Sequence, residues 1–136
     1  MSRRLLICIL IIATIGVAVA CEAVEYANMP DMDKIKNKEL RAAYKTTEVT
    51  IREMSQYYVD AMRIVPAAGQ LQLLYKEAQQ RLSDTYKECV LAVCNVPIDS
   101  DKEAMEAQRV FDQMEQDYQN AVDAVETQYR ISAKKM

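Results

Sequence analysis

Apolar and small residues recur along the middle of the chain in a fixed alternation. Leu40, Tyr44, Thr47, Ile51, Met54, Tyr58, Ala61 and Val65 are spaced 4, 3, 4, 3, 4, 3, 4. That is a heptad seam of the a/d type and predicts a helix over about 32–65, with Asp31 or Asp33 as its cap. Pro66-Ala67-Ala68-Gly69 then makes a turn, since Pro66 cannot continue the helix. A second helix over about 68–92 carries Leu71, Leu74, Tyr75, Ala78, Leu82, Cys89 and Val93 on one face and stops before Asn95 and Pro97. A third opens at Ser100 with Glu103 three residues on, the capping-box spacing. Its seam is Ala107, Phe111, Met114, Tyr118, Ala121, Val125, Gln128 and Ser132, again alternating 4 and 3. Short connections favour antiparallel neighbours. The expected fold is all-α, an antiparallel up-down-up three-helix bundle with coiled-coil-like heptad seams over residues 32–136.

The start of the chain follows another pattern. Ser2-Arg3-Arg4 is a short positive stretch, and Leu5–Val19 is apolar except for Thr14 and Gly16. Ala18-Val19-Ala20 is the small-x-small sequence that a signal peptidase reads. As a helix, Leu5–Ala20 would reach about 24 Å, short of a bilayer's hydrocarbon core. Residues 1–20 therefore read as a cleaved export signal. Val17-Ala18-Val19-Ala20-Cys21 resembles the lipobox of bacterial lipoproteins, although Ala18 stands where that class usually has Leu. The resemblance implies a lipid on the Cys21 sulfur and cleavage before it, and Glu22 weakly suggests outer-membrane retention. Cleavage of the same bond by an ordinary signal peptidase would leave a secreted protein instead. Residues 21–31 have no sustained period, contain Pro30, and read as a tether.

Composition narrows the chemistry. The 136 residues include no His, no Trp and only 2 Gly. Glycine this sparse excludes phosphate loops, dinucleotide fingerprints and hairpin-rich β folds. Without His, the Ser-His-Asp and Cys-His nucleophile systems lose a member, and so do the usual zinc enzymes and di-iron carboxylate bundles. Removing Arg3 and Arg4 with the signal leaves 15 basic residues against 20 acidic ones, a net charge of −5. Such a balance argues against nucleic acid and against electrostatic adhesion to anionic lipid. The charges are also segregated. Lys34, Lys36, Lys38, Arg41 and Lys45 make the start of the first helix basic, whereas Asp99–Glu126 holds nine acids against Lys102 and Arg109. In an up-down-up bundle these two starts would lie side by side, or form two solvated faces of opposite sign. Off the seams, Glu48/Arg52, Glu77/Arg81 and Glu126/Arg130 have the acid-first i,i+4 spacing of helix ion pairs.

Cys89-Val90-Leu91-Ala92-Val93-Cys94 is the one local motif with chemistry. On an intact helix these two cysteines point about 140° apart, so a Cys89–Cys94 disulfide requires the helix to break between them. Such a clasp would contribute about 2 kcal/mol. With Cys8 removed, a lipid on Cys21 would leave Cys89 and Cys94 as an even pair. The spacing lacks the C-x-x-C form of a redox dithiol. The acidic pairs Glu103/Glu106 and Glu115/Asp117 read as solvated helix faces, with no metal site and no cofactor implied.

Tyrosines and methionines on the seams read first as core. An adaptable core of this kind could instead present a pairing face for another helix. Candidate partner-binding residues are Met54, Tyr57, Tyr58, Phe111, Met114 and Tyr118. Adjacent Tyr57 and Tyr58 cannot both face inward, so Tyr57 is the one expected at an exposed contact. The function expected is that of an exported, lipid-anchored, non-enzymatic protein that binds another envelope or surface protein or a second copy of itself. The alternative is a secreted helical carrier of a small apolar ligand.

Overall fold

In a computed structural model that describes residues 34–136, the chain is an all-α three-helix bundle. Its helices are α1 (Lys38–Ile64), α2 (Ala68–Cys94) and α3 (Asp101–Lys134). The export signal, Cys21 and the 21–31 tether lie outside the described residues. No helix among the described residues is long and apolar enough to cross a membrane.

The seams face inward as their spacing requires. Leu40, Tyr44, Thr47, Ile51 and Tyr58 of α1 are buried, as are Leu71, Ala78, Leu82 and Val93 of α2. On α3, Ala107, Phe111, Met114, Ala121, Val125, Gln128 and Ser132 are buried, while Tyr118 is half-buried. Every buried side-chain polar atom among the described residues has a hydrogen-bond partner, as burial away from water demands.

The helix ends depart from the expected boundaries for local reasons. α1 begins at Lys38 rather than near residue 32 because Asn37, not Asp31 or Asp33, is the cap. Asn37 Oδ1 accepts from the N–H groups of Glu39 (3.0 Å) and Leu40 (3.1 Å), two of the donors a helix start leaves unsatisfied. The preceding Lys36 N–H donates to Glu106 Oε2 at 2.6 Å. α3 opens with Glu103 N–H donating to Ser100 Oγ (3.2 Å), while Glu103 Oε2 accepts from Asp99 N–H (3.0 Å). The returning arm of the capping box therefore lands one residue earlier than the standard motif. α2 runs unbroken through Cys94, two residues beyond the expected end.

The described chain packs as two compact halves. One comprises residues 34–46 and 89–115, and holds the α2–α3 connection. Its buried residues are mostly aliphatic, Ile35, Leu40, Val90, Val93, Val96 and Val110 among them, joined by Tyr44, Phe111 and Met114. The other comprises residues 47–88 and 116–136, and holds the α1–α2 connection. Ile51, Tyr58, Val59, Met62, Leu71, Ala78, Leu82, Ala121 and Val125 form its core cluster, with Tyr75, Tyr86, Tyr118 and Tyr129 packed against it.

Cross-helix contacts in this second half fix the helix directions. Arg81 reaches Tyr58 and Thr85 reaches Met54, so four residues forward on α2 correspond to four backward on α1. Tyr75 stacks on Tyr129 and Tyr86 on Tyr118, eleven forward on α2 against eleven backward on α3. By contrast, Ser55 bonds to Ala121 and Ser132 to Met62, so α1 and α3 advance together. That is up-down-up.

Candidate interaction surface

The tyrosine-rich half brings most of the sequence candidates together, and burial sorts them. Tyr58 is 0% exposed, Phe111 1% and Met114 0%. These three hold helices together and offer nothing to a second molecule. Met54 and Tyr118 are half-buried against the core cluster. Tyr57, at 64% exposed, is the one candidate that reaches well into solvent. Adjacent residues on a helix lie about 100° apart, so burying Tyr58 turns Tyr57 outward.

Tyr57 is held in place. Its ring meets that of Tyr58 edge to face, with centroids 5.1 Å apart and planes at 88°. This geometry sets the positive ring edge against the negative face. Tyr58 is fixed in turn by Arg81, whose Nη1 donates to the phenol oxygen at 3.1 Å and whose guanidinium carbon lies 5.9 Å from the ring centroid. Arg81 was expected to pair with Glu77 along its own helix, and it bonds to Tyr58 of α1 instead. The buried phenol needs a partner and the exposed carboxylate does not. Burial raises the Tyr58 pKa above its ordinary 10.0, outweighing the Arg81 hydrogen bond, which lowers it. The Arg81 pKa is raised chiefly by that same hydrogen bond.

Two further pairs join α2 to α3 in this half. Tyr75 and Tyr129 stack at 4.3 Å with planes 14° apart, and Tyr86 and Tyr118 at 4.5 Å and 12°. Burial also raises the Tyr75 pKa, with a push from Glu126. Tyr86 and Tyr129 were not among the sequence candidates. Each stands one turn beyond a seam residue, Leu82 and Val125, and that offset was the available signal. Between α1 and α3 runs a polar relay. Arg63 Nε donates to Gln128 Oε1 (3.3 Å), Gln128 Nε2 to Ser132 Oγ (3.0 Å), and Ser132 Oγ to the Met62 carbonyl (2.9 Å).

On the outward side of α1, Ile64 follows Tyr57 by seven residues, two turns along the same face, and is 83% exposed. The ion pairs of this half are solvent-exposed. Glu48–Arg52 (3.9 Å) and Glu126–Arg130 (2.5 Å) form as spaced, and Asp60–Arg63 (3.3 Å) joins them. Each contributes little in water.

The cysteines correct the sequence expectation. Cys89 is a free, half-buried thiol, so the Cys89–Cys94 bond is not formed. The reason is the uninterrupted α2, which keeps the two side chains about 140° apart. Cys94 is half-buried at the last residue of α2.

No family model, no curated protein and no solved structure matches the chain.

Proposed function

We propose that this chain is an exported helical protein that acts by binding another macromolecule in the cell envelope or at the surface, with Cys21 as the point of membrane anchorage. One observation carries the binding part. An apolar pair, Tyr57 and Ile64, faces solvent on a helix whose inner seam is already filled by its own bundle. A tyrosine braced by a second ring, which an arginine holds in turn, gives large contact area at little entropic cost, the property that makes Tyr effective at interfaces. The partner is a helix or groove with an apolar stripe, on an envelope protein or a second copy of this chain. Export and anchorage rest on residues 1–21 alone.

The test is a photo-crosslinking residue placed at position 57 in the native host. A crosslinked species that disappears in Ile64→Asp, with the thermal midpoint unchanged, supports the proposal. A chain that yields only monomer at every growth stage sinks it.

A second reading rests on Cys94. A lipid on Cys21 leaves Cys89 and Cys94 as an even pair, yet Cys89 is free. Once residues 1–20 are removed, Cys21 is the only other cysteine of the chain that could pair with Cys94. One sulfur cannot carry both a lipid and a disulfide. A secreted form closed by a Cys21–Cys94 disulfide would be unlipidated. The intact mass of the processed protein, before and after reduction, separates the two. Acyl mass indicates the anchor, and a gain of two hydrogens on reduction without acyl mass indicates the clasp.

A further inference from the structure

The half formed by residues 34–46 and 89–115 contains a cleft of about 380 Å³ lined by Lys34, Lys36, Lys102, Met105, Glu106 and Arg109. We infer that this cleft is a binding site for a phosphate group, presented as a phosphate ester or as the free anion.

The charge count is the first support. Four cations surround one carboxylate in a chain that is acidic overall. Lys102 and Arg109 are the only two basic residues in the Asp99–Glu126 stretch, and both line this cleft. The nine acids of that stretch contribute only Glu106 to it. Such sorting is not what random exposure of an acidic helix would give.

The one carboxylate is already committed. Glu106 is buried (8% exposed) and accepts the Lys36 main-chain N–H at 2.6 Å. That bond fixes the segment carrying Lys34 and Lys36 beside α3. Among the described residues, none of the four cationic side chains makes an ion pair or a side-chain hydrogen bond. Four like charges held around one cleft repel one another, and an anion between them relieves the repulsion.

Phosphate suits this donor set. Lysines supply point charges and Arg109 a planar fork, the combination that recognises phosphate oxygens. The remaining acids of α3 disfavour an extended polyanion, so the ligand is a single phosphate group rather than nucleic acid. Beyond about 8 Å, physiological salt screens the overall negative charge, and the local excess of cations governs.

The inference does not depend on export or on Tyr57, and the test keeps them apart. The full chain, isotopically labelled, is titrated by NMR with inorganic phosphate and, separately, with dihexanoyl phosphatidylglycerol below its micelle concentration. Sodium chloride matches the ionic strength. Saturable shifts confined to the amides of 34–36 and 102–109 are expected. Saturation by inorganic phosphate identifies the free anion as sufficient, and saturation by the lipid alone identifies an esterified headgroup. Lys102→Gln with Arg109→Gln is expected to weaken binding by about 25-fold, or about fivefold per cation. Lys76→Gln, in the other half, is expected to leave it unchanged. Both cleft side chains are exposed, and the single variants replace the double one should it fold poorly. The site is overturned if neither titrant saturates, if the chloride control gives the same shifts, or if Lys76→Gln weakens binding as much as the cleft variants do.

Discussion

The two halves of this bundle solve one packing problem with different chemistry. Residues 47–88 and 116–136 use tyrosines, in two flat stacks and one edge-to-face pair braced by Arg81. Residues 34–46 and 89–115 use mainly aliphatic side chains with Tyr44, Phe111 and Met114, closed by a capped helix start and a buried carboxylate. Each tyrosine brings a hydroxyl that must be bonded or kept wet, so the sealed Tyr58 takes Arg81 as its partner while Tyr75, Tyr86, Tyr118 and Tyr129 stay at the edge of the core. An aliphatic core makes no such demand. Its surface is free to gather charge, and here four cations line one cleft. The lesson is that the choice of core residue sets which surface chemistry lies next to it.

Removing the central ring of each half is the severest test of this contrast. Tyr58→Ala and Phe111→Ala are each expected to cost about 3–5 kcal/mol in urea unfolding, because both rings are sealed from solvent. A loss under 1 kcal/mol in either would show that ring to be peripheral.

Glu106→Ala probes the other half's polar lock. It leaves the Lys36 N–H without its acceptor and is expected to cost about 1–3 kcal/mol. Glu106→Gln, which keeps an oxygen, should recover much of that loss, and equal losses would argue against the bond.

Tyr58→Phe sharpens the comparison through pH. At neutral pH it removes the Arg81 hydrogen bond for about 1 kcal/mol. Folding raises the Tyr58 and Tyr75 pKa values above 10.0. Their contribution is therefore fully present below pH 10 and is lost as pH climbs through the higher folded values. Urea midpoints should fall in that alkaline window, and less steeply in Tyr58→Phe. A parallel fall in the variant would remove Tyr58 from the explanation.

The smallest effect is a gain. Gly69 lies in the first turn of α2, and nothing stands within 4 Å of where a Cβ would point. Its backbone does not have positive φ, so Gly69→Ala is expected to stabilise by about 0.5–1 kcal/mol. A lower thermal midpoint would mean that the turn needs glycine's freedom.

Much of this architecture was legible in spacing alone. The α1 and α3 seams face inward, with Met54, Ala61, Val65 and Tyr118 half-buried on the margin. Ser100 and Glu103 cap α3 as their separation requires. The α1 cap was misplaced because Asp31, Asp33 and Asn37 have similar capping chemistry. Asn37 is the residue that accepts from the first-turn N–H groups, directly after Lys36 bonds to Glu106, seventy residues away. The surface was half legible. The outward turn of Tyr57 follows from the burial of Tyr58, whereas the Arg81–Tyr58 bond does not follow from any local pattern. The segregation of basic and acidic stretches was visible in the sequence, and it left open either neighbouring starts or two solvated faces of opposite sign. Lys102 and Arg109, the two basic residues of the acidic stretch, line one cleft with Lys34 and Lys36.

Among the described residues, the sequence by itself determined the number of helices, their inward faces and their order, because helical periodicity and proline breaks act over a few residues. Only the tertiary structure decided which side chains meet across helices. That includes the tyrosine stacks, the polar relay through Ser132, the continuation of α2 through Cys94, and the gathering of four cations around Glu106. Those outcomes depend on the register and rotation of whole helices. A difference of one residue in either would bring different side chains face to face while leaving every local preference satisfied.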